Sequence, residues 1–486
     1  MPHTTPSPGP EDSDTPSALI DAAFSAQAAA SQSLRSSTCR DRKKKLVRLR
    51  DVLLRHRTAL LDAFHKDLRK HPVEVDLTEM LPVVDELSHA ISNLRKWMKP
   101  TSVWPTLTTL GTRAKVIMQP RGRCLIIGPW NYPINTLLGP LVSALAAGNT
   151  VILKPSEMTP HVNDVVASIV RAAFDASEVA LIRGGAKTAQ HLLSLPFDHV
   201  FFTGSPSVGK VVMKAAASGL TSVTLELGGK SPVIVDETAD AKQAASLILW
   251  GKLTNTGQSC VAPDHVFVHR SIHDEFAQAC ADVVKARFGP HDKQMAANPD
   301  LGRMINQRHA ERVGALIDDA VSRGATVTVG GTHDSLSRYV APTVLTNVPD
   351  AARINEEEIF GPVLPIRLFD SLDEVIRQIN GKPKPLALYV WTKRKAVVRR
   401  IERETASGGM GVNLCMQQYV HGGLPFGGVN NSGLGNAHGH YGFKAFSHER
   451  AVLASGAFLA VKSFFPPFTA RTAMMAKSLV RLVARL

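Results

Sequence analysis

The sequence predicts an α/β protein built on parallel sheet, and two successions of elements carry that prediction. Arg123-Cys124-Leu125-Ile126-Ile127 is a short apolar run ending at Gly128. A helix of small residues follows over Leu141 to Ala147, Gly148-Asn149 stops it, and Thr150-Val151-Ile152-Leu153 opens the next strand. The pattern then repeats as strand His199-Val200-Phe201-Phe202, a turn from Thr203 to Gly209, and a helix from Lys210 to Ala217. Strands joined by helical crossovers lie parallel and place ligands beyond their carboxyl ends. After Cys260 the alternation continues through Phe360, with one further strand expected over Ala325 to Val329.

The 486 residues suffice for two or three domains, and 44% hydrophobic with 20% charged residues is ordinary for a globular enzyme. Met1 to Pro16 is rich in Pro, Ser, Thr and Asp and has no apolar core for a signal peptide, which predicts disorder. Five scattered cysteines without metal-ligand spacing argue for a reducing compartment and against disulfides or zinc. The net charge of +14 sits mainly in two blocks. Arg35 to Arg57 holds ten cations against Asp41 and Asp51, and Ala451 to Leu486 holds five cations and no acid. Neither block has the interleaved aromatics of a nucleic-acid surface, so both read as solvated helical faces.

Leu46, Leu49, Leu53, Leu60, Phe64 and Leu68 recur at helical spacing, which predicts one amphipathic helix ended by His71-Pro72. A second helix is expected from about Leu77 to Met98, then extended ribbon over Thr101 to Gln119. At the far end, Met475, Leu479, Leu482 and Leu486 share one helical face, with Lys477, Arg481 and Arg485 opposite. No stretch approaches the length of about 18 apolar residues that spans a bilayer. A basic amphipathic helix can lie on an anionic membrane, cap a partner subunit or cover a substrate entrance.

The chemistry centres on Asn255-Thr256-Gly257-Gln258-Ser259-Cys260-Val261-Ala262-Pro263-Asp264. One thiol stands in a polar turn, followed by the apolar alternation of a bracing strand at His265-Val266-Phe267-Val268. A thiolate attacks carbonyl carbon, and it needs helpers to ionise. Glu226, in Thr224-Leu225-Glu226-Leu227-Gly228-Gly229-Lys230, is a candidate general base; a structural carboxylate paired with Lys230 is the plainer alternative. Asn131, in Gly128-Pro129-Trp130-Asn131-Tyr132-Pro133, can donate its amide to an oxyanion or simply serve a turn between prolines. Lys154 and Glu157 lie at a strand's carboxyl end, able to bond ribose hydroxyls or to form a surface ion pair. Gly204, Ser205 and Gly209 form a glycine turn before a helix N-terminus, a place for phosphate, although the spacing departs from both GxGxxG and the P-loop.

Together Asn131, Glu226 and Cys260, in this order and separation, resemble the aldehyde dehydrogenase superfamily, and Cys260-Val261-Ala262-Pro263-Asp264 resembles its class 3 branch of fatty and aromatic aldehyde dehydrogenases. The resemblance runs from about Leu34 to Arg450. It implies a Rossmann-like NAD(P)-binding domain (18–100 and 121–226), an α/β catalytic domain (227–412) and a small β extension for oligomerisation (101–120 and 413–450). Residues 1–17 would be disordered and 451–486 a basic tail. It further implies NAD- or NADP-dependent oxidation of a medium-chain, long-chain or aromatic aldehyde, including hydroxycinnamaldehydes, in a cytoplasmic homodimer with a peripheral membrane contact open to the tail. Ser205 and Gly204 would approach the pyrophosphate, Glu358 would bind the nicotinamide ribose, Phe360 would pack near that ring, and Tyr132 would line the substrate entrance. A coenzyme A-acylating or acyl-reducing relative is the near alternative, and a non-enzymatic interaction module the distant one. Within Gly422 to Gly433, Asn430 stands where the family has glycine.

Overall fold

The computed structural model describes residues 14–456 and 460–485. A six-stranded sheet runs in the order Gly433–Leu434, Ser222–Leu227, His199–Gly204, Arg123–Ile127, Thr150–Lys154, Val179–Leu181. All neighbours are parallel except Gly433–Leu434, which pairs antiparallel with Leu225 and Glu226. Successive residues of Arg123–Ile127 feed opposite faces. Cys124 and Ile126 enter the core beside the helix Asn135–Ala147, while Leu125 and Ile127 pack with Ile20 and Phe24.

A seven-stranded sheet follows: Thr326–Val329, Thr343–Thr346, Val363–Phe369, His265–His269, Pro232–Val235, Ala387–Trp391, Gly409–Val412. Only its first pair is antiparallel. The ribbon expected from Thr101 is present as Thr101–Val103 and Thr112–Pro120, joined by Ser447–Ser455 in a third, antiparallel sheet.

Several expectations are corrected. Residues 1–13 lie outside the described residues, but Asp14 to Ser17 are not loose. The Asp14 carboxylate accepts hydrogen bonds from Gly185 N, Thr188 N and Thr188 Oγ1, and the helix Ser17–Leu34 starts there. The single helix expected through Leu68 is two, Cys39–Arg55 and Arg57–Leu68. His56 separates them with a non-helical ψ of 5°, and its ring nitrogen bonds the Val52 carbonyl. The helix expected from Leu77 begins instead with a π-turn, Asp76–Met80, before Leu81–Trp97. Pro82 has no N–H for the Thr78 carbonyl, and that carbonyl accepts from the Asn135 amide instead. Ala451 to Ser455 belong to the ribbon, so the tail proper starts later. Within it the helix Ala470–Val483 buries no residue.

Candidate active site

Cys260 is held in a loop whose backbone is forced into an uncommon shape. Asn255, Thr256 and Gly257 are consecutive left-handed residues, with φ of 52°, 55° and 75°. A β-branched Thr avoids that region, so the neighbours must over-determine it. They do. The Asn255 side-chain amide donates to the carbonyls of Asn131 (2.9 Å) and Gln258 (3.1 Å), and its backbone N–H donates to the Glu74 carboxylate. Gln258 Oε1 accepts from Ile305 N, and Gln258 Nε2 donates to the Asn255 and Arg303 carbonyls. Gly257 cannot be anything larger, since a Cβ there would stand 2.2 Å from the Gly361 carbonyl oxygen.

Asn131 is brought to this loop directly: its Nδ2 donates to the Gln258 carbonyl at 3.1 Å. The amide has a second N–H to offer. Behind it, Glu79 accepts from Ile134 N and Asn135 N at the start of the helix Asn135–Ala147, and pairs with buried Lys70 at 3.0 Å. The Lys70 ammonium also sits 4.4 Å over the Tyr132 ring.

Glu226 ends up 5% exposed, facing the same cavity as Cys260, and neither of its oxygens has a hydrogen-bond partner. Burial alone therefore pushes its carboxyl well above the usual Glu range. The alternative pairing with Lys230 does not occur, because Lys230 bonds Asp264 at 2.5 Å and the Ile354 and Glu357 carbonyls. The thiol of Cys260 is pushed up to about 12, first by burial and then by the nearby Glu358 and Glu226 charges. Backbone N–H groups of Cys260 and Val261 pull the other way.

Glu358 approaches because Gly228 and Gly229 have no side chains. Gly229 N donates to it at 3.0 Å, and a Cβ on Gly228 would lie 2.6 Å from its oxygens. Burial raises it to about 7. Phe360, at a φ of 49°, meets Trp130 edge to face at 5.5 Å. Lys154 and Glu157 form an ion pair of 3.0 Å, with Lys154 buried and Glu157 partly open. Gly204 ends its strand. Ser205 is the N-cap of the helix Pro206–Ser218, and its hydroxyl accepts from Val208 N at 3.4 Å. Gly209 is corrected: it lies inside that helix, where a Cβ would stand 2.7 Å from Leu227, so it permits close packing of helix on strand instead of forming the turn.

The cavity spans about 1190 Å³ including open solvent, from Leu77, Trp250 and Val420 near the surface to Phe201 and Phe446 within; Tyr132, expected at the entrance, is corrected to a buried position on the wall, 7% exposed. An apolar channel with a thiol on its wall and an orphaned carboxyl facing the same space suits a carbonyl substrate with a hydrocarbon body. The carboxyl ends of three parallel strands, the Ser205-capped helix N-terminus and the Glu358 cradle fit a dinucleotide. Sequence reasoning missed Asn255, Gln258, Glu74, Glu79 and Lys70, which hold the Cys260 loop and the segment that follows Asn131. The succession Asn-Thr-Gly was the one available signal, since Asn and Gly tolerate left-handed backbone.

These features suit an enzyme that oxidises aldehydes, and comparison with known proteins shows the class. The aldehyde dehydrogenase family model matches residues 12–452, and the chain belongs to that family. A putative aldehyde dehydrogenase, AldX, of Bacillus subtilis is 42% identical over 90% of this chain and 98% of that protein. A dimeric NADP-preferring aldehyde dehydrogenase of Mus musculus is 43% identical over 80% of this chain and 84% of that protein. Among solved structures, substrate-bound AldH of Staphylococcus aureus superposes with a TM-score of 0.90 at 38% identity, covering 95% of this chain and 99% of that one. The chain is an aldehyde-oxidising enzyme that uses NAD or NADP. Among the described residues no helix is long and apolar enough to cross a membrane.

Proposed function

We propose that Cys260 is the nucleophile, Glu226 the hydrolytic base and Asn131 the oxyanion donor in oxidation of medium-chain, long-chain or aromatic aldehydes to carboxylic acids. The observation that carries this is the meeting of Cys260 with an unpartnered, buried Glu226 across one apolar channel. The Cys260 thiol gives its proton to water in the channel as its sulfur bonds to the carbonyl carbon, and the free Asn131 N–H and the Cys260 backbone N–H receive the oxygen's negative charge. When bound, the nicotinamide accepts the hydride. Glu226 then takes a proton from water, whose oxygen attacks the resulting thioester, releasing the acid and restoring the thiol. Glu358, Lys154 and Glu157 would hold the two riboses, and Ser205 and Gly204 the pyrophosphate.

The ribbon exposes Val103, Trp104, Leu110 and Leu453, which supports a homodimer joined there. The tail helix exposes Met474, Met475, Val480, Leu482 and Val483 beside Lys477 and Arg481, which supports peripheral contact of a cytoplasmic enzyme with anionic membrane. Flotation with anionic vesicles, with and without residues 470–486, tests that contact. The reaction is tested by ultraviolet absorbance of reduced cofactor over hexanal to hexadecanal, benzaldehyde and coniferaldehyde, with NAD or NADP. Cysteine-dependent reduction, lost in Cys260→Ala and indifferent to coenzyme A, is the expected result. Reduction that requires coenzyme A would replace hydrolysis by acyl transfer.

A further inference from the structure

The channel that holds Cys260 continues beyond it. Its lining grades from exposed residues at Leu77, Trp250 and Val420 to fully buried Phe201 and Phe446, whose rings stack at 5.7 Å. Gly139 and Ala437 leave room there because each is small, while Gly442 lets Ser143 approach, since a Cβ on it would stand 2.3 Å from the Ser143 Oγ. Into this inner chamber, between the helices Asn135–Ala147 and Gly439–Ala445, come Glu86, Ser143 and His438.

Glu86 is 6% exposed. Its Oε1 accepts from Gly439 N at 2.8 Å and from Ser143 Oγ at 3.5 Å, while Oε2 has no hydrogen bond among the described residues. That oxygen is not sealed off from the cavity, so whatever fills the chamber supplies its hydrogen bonds. Nothing in the aldehyde chemistry at Cys260 uses it. Burial raises Glu86 to about 7, so near neutral pH it is present in both protonated and ionised forms. Burial also holds His438 down at about 4, which leaves its imidazole neutral. An ammonium would exchange its hydration for an apolar cavity in which, among the described residues, Glu86 and Glu226 are the acids of the lining, a poor exchange. A hydroxyl both donates and accepts, so it can pair with either form of the carboxyl.

We propose that this chamber receives the end of the aldehyde remote from the carbonyl, and that Glu86 selects substrates bearing a hydroxyl there, such as ω-hydroxy aliphatic aldehydes. This rests on the dehydrogenase reading above and narrows its substrate class. A site that hydrogen-bonds a substrate hydroxyl discriminates against the analogue lacking it, because the protein group is then left unpaired.

The test is the ratio of kcat/KM for each ω-hydroxyalkanal over its methyl-terminated counterpart, across hexanal to hexadecanal lengths. Wild type should give a ratio above one at one or more lengths. Glu86→Leu should lower it by about tenfold or more, and Glu86→Gln, which keeps a donor and an acceptor, by no more than about threefold. Should Glu86→Leu not fold, Ala437→Leu narrows the chamber from the other wall and should lower the ratio as well. A wild-type ratio at or below one at every length overturns the proposal, as does an unchanged ratio in folded Glu86→Leu or Ala437→Leu. A preference for ω-trimethylammonio aldehydes overturns it in favour of a cation site. If no aldehyde reduces the cofactor, the dehydrogenase reading has failed, and the chamber is read by melting temperature instead. Dodecane-α,ω-diol should then raise it more than dodecanol, and equal shifts overturn the proposal.

Discussion

Glu79 and Glu226 are both buried carboxyls in the neighbourhood of the Cys260 loop, and their surroundings differ in every respect that matters. Glu79 meets the Lys70 ammonium and two backbone N–H groups, so the cost of burying it is largely answered. Glu226 meets nothing. Burial pushes both upward, but Lys70 and the backbone pull Glu79 back, while for Glu226 burial stands alone. Where a buried carboxyl is fully partnered, it builds the scaffold. The one left without partners, on the wall of a substrate channel, is available for chemistry. Glu86 lies between these cases, with one oxygen engaged and the other free.

The largest expected effect separates the two. Glu226→Gln should lower kcat by about 10²–10⁴ while leaving the melting temperature unchanged or higher, because it removes an uncompensated buried acid. Steady-state kinetics and calorimetry on the same preparation check it, and equal damage to both readouts would erase the distinction. Glu79→Ala should do the reverse in emphasis. It strands the Lys70 ammonium and the N-terminal N–H groups of the helix, costing about 3–5 kcal/mol of stability by denaturant unfolding. Lys70→Met together with Glu79→Leu should recover part of that loss, since no charge is then left unpaired.

The next effect is a dependence on pH. Glu226 has a folded-state pKa above its unfolded value, so the folded state holds the proton more tightly. Its contribution to stability is whole below the ordinary Glu range and is lost as pH rises through the raised value. Wild type should therefore lose melting temperature relative to Glu226→Gln as pH climbs from about 5 to 8. Turnover should rise toward higher pH as the base ionises. A constant difference in melting temperature would show that Glu226 finds a partner in solution.

Much of this architecture is legible in the chain because apolar runs closed by glycine, such as Arg123 to Gly128, leave few alternatives to a buried strand. Cys260 stands out for the opposite reason, a thiol in polar company. What could not be read depends on partners distant in sequence. The break at His56 turns on one ring bonding Val52, and Pro82 is tolerated because Asn135 takes up the carbonyl it leaves unpaired. The state of Glu226 was undecidable along the chain, since Lys230 is near in sequence and yet committed to Asp264. The Glu86 chamber joins positions from Glu86 to Phe446, and no local pattern announces it.

The smallest effect is expected at Asn430, where polarity and partnership occur on the surface instead of in the core. Its φ of 56° is the left-handed conformation that glycine adopts freely, and its exposed side-chain oxygen accepts from Lys384 Nζ at 2.8 Å. Asn is among the residues that tolerate this region, so the strain relieved by Asn430→Gly is small. Against it stand the lost contact to Lys384, worth little at an exposed position, and the greater backbone entropy of glycine in the unfolded chain. These contributions oppose one another, so the substitution should change stability by less than about 1 kcal/mol and leave kcat within about twofold. A larger loss in kcat alone would mean that the Asn430 turn positions Glu226. The turn is closed by Gly433 N donating to the Asn430 carbonyl, and Gly433 pairs directly with Glu226 in the sheet.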